Sequence, residues 1–293
     1  MNGKLSRALI VNSFVIKIIA ILTMTVDHVG VALEWFSVEP WANVCRIIGR
    51  IALPLFCFCI AEGVRHTKSF GKYALKLGIL GTVIAVALLI MYLGGFSSAQ
   101  YLASIGNIFV DLILGATAVF LLSKKEIYFK LGALLPIGIS VASFFARSYE
   151  VATNGIVWWY PFCLRTQYGF YGVALIVAFY LAYVLADSIT SSYADKMGVD
   201  RDVILPAGST QFIANIASIV FLSALSFLFW FISTTMITQY MEVQPYAILA
   251  GVVILLYSGK KGYSAKWFTW FEYLYYPIHI AIIAAVIFLG GQL

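Results

Sequence analysis

Ile16-Lys-Ile-Ile-Ala-Ile-Leu-Thr-Met-Thr-Val-Asp-His-Val-Gly30 decides how this chain is read. It is the centre of an apolar run that extends over residues 14–36, and it carries Lys17, Asp27 and His28. A Lys or Asp at the middle of a membrane helix costs roughly 2.5–3.5 kcal/mol on insertion scales, so such residues usually mark a site.

The rest of the chain agrees with a membrane setting. Of the 293 residues 62% are hydrophobic, 16% aromatic and only 11% charged, and the mean hydropathy is +0.94. A soluble domain has too few charges here to cover so much apolar surface. Apolar runs long enough to span a bilayer recur at 14–36, 44–64, 73–93, 105–123, 127–145, 168–187, 212–232, 245–257 and 268–289. The expectation is an all-α, polytopic helix bundle of about nine spans. Residues 155–164, with Trp158, Trp159 and Pro161, form an interfacial or re-entrant piece that could add a tenth element. We read residues 1–293 as one integral-membrane domain, because no soluble segment is evident and the longest polar loop, 187–211, is a solvated connection.

Lysine and arginine set the orientation. Lys4 and Arg7 precede the first run, Arg65, Lys68 and Lys72 follow the second, Lys124, Lys125 and Lys130 follow the fourth, and Lys260, Lys261 and Lys266 precede the last. The loops around Glu39, Gly95 and Glu242 have neither residue. The positive-inside rule then puts the N-terminus in the cytoplasm and, with nine spans, the C-terminus outside. The net charge of +6 is topogenic charge facing anionic lipid, so lipid rather than nucleic acid is the expected partner. The first apolar stretch is too long and too charged for a cleavable signal. Cys45, Cys57, Cys59 and Cys163 lack metal-ligand spacing and read as small packing groups; no metal is expected.

Lys17 and His28 are eleven residues apart, about three turns, so they share a helix face within ~20° and are separated by ~16 Å along the axis. Asp27 points elsewhere, toward the second run, where Arg46 and Arg50 stand i, i+4 and need a carboxylate. Gly49 allows close helix approach and Pro54 loosens the ladder below. Glu62, near the depth of Lys17, is the expected partner of that lysine. Asn107 and Asp111 are polar groups at membrane depth that could line a cavity.

Lys17-Ile-Ile-Ala, Asp27-His28-Val-Gly30, Arg46-Ile-Ile-Gly-Arg50-Ile-Ala-Leu-Pro-Leu-Phe56, Ala61-Glu-Gly63, His66-Thr67 and Tyr73 together resemble the TraX family. Tyr168-Gly-Phe-Tyr-Gly172, Tyr257-Ser-Gly-Lys-Lys-Gly262 and Tyr275-Tyr-Pro-Ile-His279 extend the likeness, while residues 94–165 depart from it most. The resemblance implies a membrane acyltransferase of the bacterial inner membrane. The family is named for a protein associated with acetylation of conjugative pilin. The basic residue, ten-residue gap and histidine formed by Lys17 and His28 are also similar to the pattern of the broader membrane acyltransferase superfamily, whose donor is cytoplasmic acetyl-CoA and whose histidine is catalytic.

On that basis His28 is the candidate base or acyl carrier, Asp27 its orienter or an arginine partner, and Arg46 and Arg50 the groups that stabilise developing charge. Lys17, Glu62, Arg65, His66, Lys260, Lys261 and His279 are candidates for the donor path. Each has a plainer reading: a membrane histidine often only hydrogen-bonds a neighbour, Lys17 and Glu62 can be a structural pair, and basic loops are topogenic in any case. The acceptor, an amine or hydroxyl of a pilin-like N-terminus, glycan, lipid or small amine, is left open, as is the oligomeric state, a homodimer included. A transporter or flippase is the alternative, since intramembrane Asp, His and Arg also build proton relays, although the halves show no inverted repeat. A non-catalytic assembly factor is the third reading.

Overall fold

The computed structural model describes residues 8–95, 98, 106–153, 155–206, 208–236 and 243–290. Among these the chain is all-helical. The helices are α1 Ser13–Trp35, α2 Trp41–Gly49, α3 Ala52–His66, α4 Phe70–Leu93, α5 Ile108–Leu122, α6 Ile127–Gly132, α7 Leu134–Thr153, α8 Phe170–Met197, α9 Arg201–Ile204, α10 Ser209–Met236, α11 Ala250–Leu255 and α12 Lys266–Gly290. Seven helices are long and apolar enough to cross a membrane when α2 with α3, and α6 with α7, count as continuous spans. Two shorter apolar helices, Ile108–Leu122 and Gln244–Leu255, stand where the fourth and eighth runs were read.

Local chemistry sets the helix ends. The side chain of Asn12 accepts from the Val15 amide (3.1 Å), capping α1. Asn107 caps α5 by accepting from the Phe109 amide (3.0 Å), while its own amide donates to the Gly81 carbonyl (2.8 Å). The break between α2 and α3 falls at Arg50 and Ile51. Pro54 explains it: it has no N–H to give the Arg50 carbonyl four residues back, and its ring crowds that carbonyl. Two expectations need correction. Residues 187–197 are not loop but the end of α8, whose buried Thr190 continues the packed face. Residues 155–164 hold only a three-residue 3-10 turn, Phe162–Leu164, and add no further helix.

The contacts divide into two compact units, one of Met1–Cys59, Leu181–Ser226 and Val243–Leu293 and one of Ile60–Tyr180 and Phe227–Glu242. In the first, α1 and α12 run parallel, since Phe14 packs on Phe268 while Lys17, Thr25 and His28 meet Glu272, Tyr275 and His279 in ascending order. Phe58 stands edge-on to Tyr257 in its core, with ring centroids 5.1 Å apart. Asn215 donates to the carbonyls of Leu255 (3.1 Å) and Tyr257 (2.8 Å), satisfying the end of α11.

In the second unit, Tyr171 stacks on Phe229 at 4.7 Å and Gly115 lets Ile176 pack directly on the α5 backbone. A buried Glu150–Arg165 ion pair straps the 155–164 segment: Glu150 also accepts from the Val157 amide (2.7 Å) and Arg165 donates to the Val157 carbonyl (3.2 Å). Asp111 is fully buried and accepts from the amides of Gln167 (2.7 Å) and Tyr168 (3.2 Å), just ahead of α8.

Candidate functional site

The first unit gathers most of the residues singled out from the sequence. Lys17 and His28 do share a face of α1, and that face looks at α12. Lys17 donates to Glu272 (2.9 Å), while Nδ1 of His28 lies 2.7 Å from Nε2 of His279. Glu272 and His279 are seven residues apart, two turns of α12, which is why one helix face answers the other.

The histidine pair is tightly held. Nδ1 of His279 donates to the carbonyl of Tyr275 (2.8 Å), one turn back, beside the helix-interior Pro277. The His279 ring stacks on Tyr275 (centroids 5.0 Å, 17°), and Tyr276 stands roughly perpendicular to both imidazoles. Tyr275 is fixed in turn. Thr25 donates to the Ile21 carbonyl (2.8 Å), so across their 2.7 Å contact the Tyr275 hydroxyl donates to the Thr25 oxygen.

Asp27 turns the other way, as its position one residue round the helix predicts. Its carboxylate accepts from Arg46 (2.8 Å) and from Arg50, and Arg46 also reaches Glu34 (3.3 Å). Two carboxylates thus balance two guanidiniums. Gly49 makes this possible, because any Cβ there would occupy the space of the Asp27 side chain. Asp27, Arg46, Arg50 and His279 all lie within electrostatic reach of the His28 ring.

At the N-terminal end of α1 the chain is basic. The carbonyls of Lys260 and Lys261 accept from the amides of Ser13 (2.9 Å) and Phe14 (3.2 Å), and both lysine side chains are exposed. From this end a file of rings at four-residue spacing, Tyr263, Trp267, Phe271 and Tyr275, leads to His279, each ring within 6.5 Å of the next. Exposure rises from 51% at Tyr263 to 62% at Trp267 and then falls, through 39% at Phe271, to 6% at His279.

Lys17 holds Glu272, where Glu62 was the expected partner. Glu62, in the second unit, holds Arg65 (2.9 Å) and His66 (2.8 Å) on its own helix. Those i, i+3 and i, i+4 partners are already within reach, and Lys17 faces α12 instead. Asp111 is tied to backbone amides rather than placed on a cavity wall. Asn107 does line one, of about 270 Å³, with Tyr92, Trp158, Cys163 and Arg165. Sequence reasoning missed Glu272 and Glu34; the seven-residue spacing of Glu272 and His279 was the available signal for the first.

Residues 13–287 match the family described as TraX protein. The chain belongs to the TraX family. A relative from Dichelobacter nodosus, described as a probable fimbrial assembly protein FimC of serogroup H1, is 26% identical over 291 residues, covering 96% of this chain and 98% of that protein. An uncharacterized protein of Rickettsia prowazekii is 26% identical over 167 residues, 57% of this chain and 54% of its own. No solved structure matches the TraX chain.

Proposed function

We propose that the chain is a membrane acetyltransferase of the bacterial inner membrane that takes acetyl from cytoplasmic acetyl-CoA and passes it to an amine or hydroxyl at or across the membrane. The observation that carries this reading is the His28–His279 pair, two hydrogen-bonded imidazoles on the inner face of two apolar helices, beside arginines held by Asp27. Imidazole is the group best matched to proton or acyl transfer near neutral pH. Fixed guanidiniums favour the negative charge that gathers on a carbonyl oxygen under attack.

The donor's phosphates call for cations, and Lys260, Lys261 and Lys266 stand at the end of α1 from which the ring file leads to His28. With the N-terminus in the cytoplasm that end faces the donor pool. Lys17, one third of the way along, is held by Glu272 and flanks the route. The fimbrial assembly name of the Dichelobacter relative favours an acceptor on a surface appendage, a pilin-like N-terminus foremost.

The test is direct. Purified protein in nanodiscs with labelled acetyl-CoA should release coenzyme A and label an added amine, pilin-type peptide or glycan. His28→Ala should lower that rate by about 10²–10⁴-fold while the protein still elutes as a folded species. Full activity in His28→Ala, or labelled solute entering proteoliposomes without acetyl-CoA, would overturn the reading.

A further inference from the structure

A carbonyl oxygen only accepts, so the hydrogen bond from His279 to Tyr275 puts the proton of His279 on Nδ1. A third cation beside Arg46 and Arg50 in an apolar bundle is expensive, so both rings are neutral. A neutral imidazole with its proton on Nδ1 has its lone pair on Nε2. That lone pair lies 2.7 Å from Nδ1 of His28, so His28 must donate from Nδ1. The lone pair of His28 is therefore on Nε2.

We infer that His279 is a positioning residue, which with the Tyr275 carbonyl locks His28 in its Nδ1–H tautomer and makes Nε2 the atom that meets the substrate. The inference rests on the reading of His28 as the proton acceptor of acetyl transfer. Asp27, the adjacent carboxylate, does not fill this role: it turns to Arg46 and Arg50, while Nδ1 of His28 lies on His279. Among the described residues, the titratable group hydrogen-bonded to the His28 ring is His279. In catalytic triads a carboxylate orients the base; here a second imidazole, itself oriented by backbone, does so without adding charge.

The step balances. Nε2 takes the proton of the acceptor N–H or O–H as that atom forms a bond to the acetyl carbon. The C–S bond then breaks, coenzyme A leaves as thiolate, and the proton passes from Nε2 to the sulfur. Throughout, Nδ1–H of His28 keeps donating to Nε2 of His279, which steadies the transient imidazolium.

The chain has three histidines, so nitrogen NMR of ¹⁵N-histidine-labelled protein in nanodiscs can assign all of them by loss of signals in His66→Gln and His279→Gln. The wild type should show His28 protonated on Nδ1. His279→Leu should shift His28 toward the Nε2–H form and lower kcat about 10²-fold or more with KM little changed. His279→Gln keeps an acceptor near the place of Nε2 and should recover about tenfold of that loss. A wild-type His28 protonated on Nε2, or a His279→Leu variant with unchanged tautomer and kcat, would overturn the inference. If His279→Leu does not fold, the wild-type spectrum and His279→Gln decide. The spectra are read without turnover, so absence of acetyl transfer would sink the enzymatic reading while leaving the tautomer measured.

Discussion

Replacing Asp27 by Asn removes one charge and almost no volume, yet it should be among the most damaging single changes in the first unit. The Asp27 carboxylate serves two guanidiniums. Arg46 retains Glu34 at 3.3 Å, but that carboxylate is 44% exposed, and an exposed pair contributes about 0–1 kcal/mol. Arg50 has only 6% of its side chain exposed, so its charge is poorly solvated. Neutralising the carboxylate that faces such a buried charge costs about 3–5 kcal/mol. The reverse deletion is milder: in Arg50→Met, Asp27 still holds Arg46, and we expect a loss of about 1–3 kcal/mol. Combining the two removes the buried cation as well, so Asp27→Asn with Arg50→Met should be more stable than the sum of the singles by about 1–3 kcal/mol. The cycle is measured by helix circular dichroism during equilibrium unfolding in mixed micelles. A loss below about 1 kcal/mol for Asp27→Asn, or strict additivity in the double variant, would refute the argument.

Gly49→Ala keeps every charge but drives a methyl into the Asp27 side chain; it should destabilise by about 1–3 kcal/mol in the same assay. Gly71→Ala, with open space around its Cβ, should stay within about 0.5 kcal/mol of the wild type. Asp111→Asn turns one of two backbone-facing acceptors into a donor, costing about 1–3 kcal/mol, and hydrogen exchange at the Gln167 and Tyr168 amides should accelerate.

Much of this site could be read along single helices. Spacing alone put Lys17 and His28 on one face, turned Asp27 toward Arg46 and Arg50, and gave Gly49 its reason. Spacing does not name the neighbour that a face will meet. Depth in the membrane made Glu62 a fair partner for Lys17, yet several residues share any one depth, and the choice of Glu272 was made by the packing of α12 against α1. His279 was visible as a polar residue behind a proline, but only a tertiary contact 251 residues away in sequence joins it to His28. Helix ends were harder still. The polar end of α8 looked like loop because hydropathy reports the bilayer, whereas the helix runs on to Met197 with Thr190 and Ala194 packed on protein and its other residues turned outward.

The parallel contact of α1 with α12 also has a consequence for synthesis. His28 emerges from the ribosome early, and the ring that orients it follows 251 residues later, a delay of roughly 10–50 s at ~5–20 residues per second. During that interval Lys17 and His28 are lodged in the membrane without Glu272 or His279, exposed to whatever insertion factor or lipid will tolerate them. Closure of the histidine pair is thus a late event in biogenesis, and a chain released before α12 would carry His28 without the ring it is hydrogen-bonded to in the folded chain.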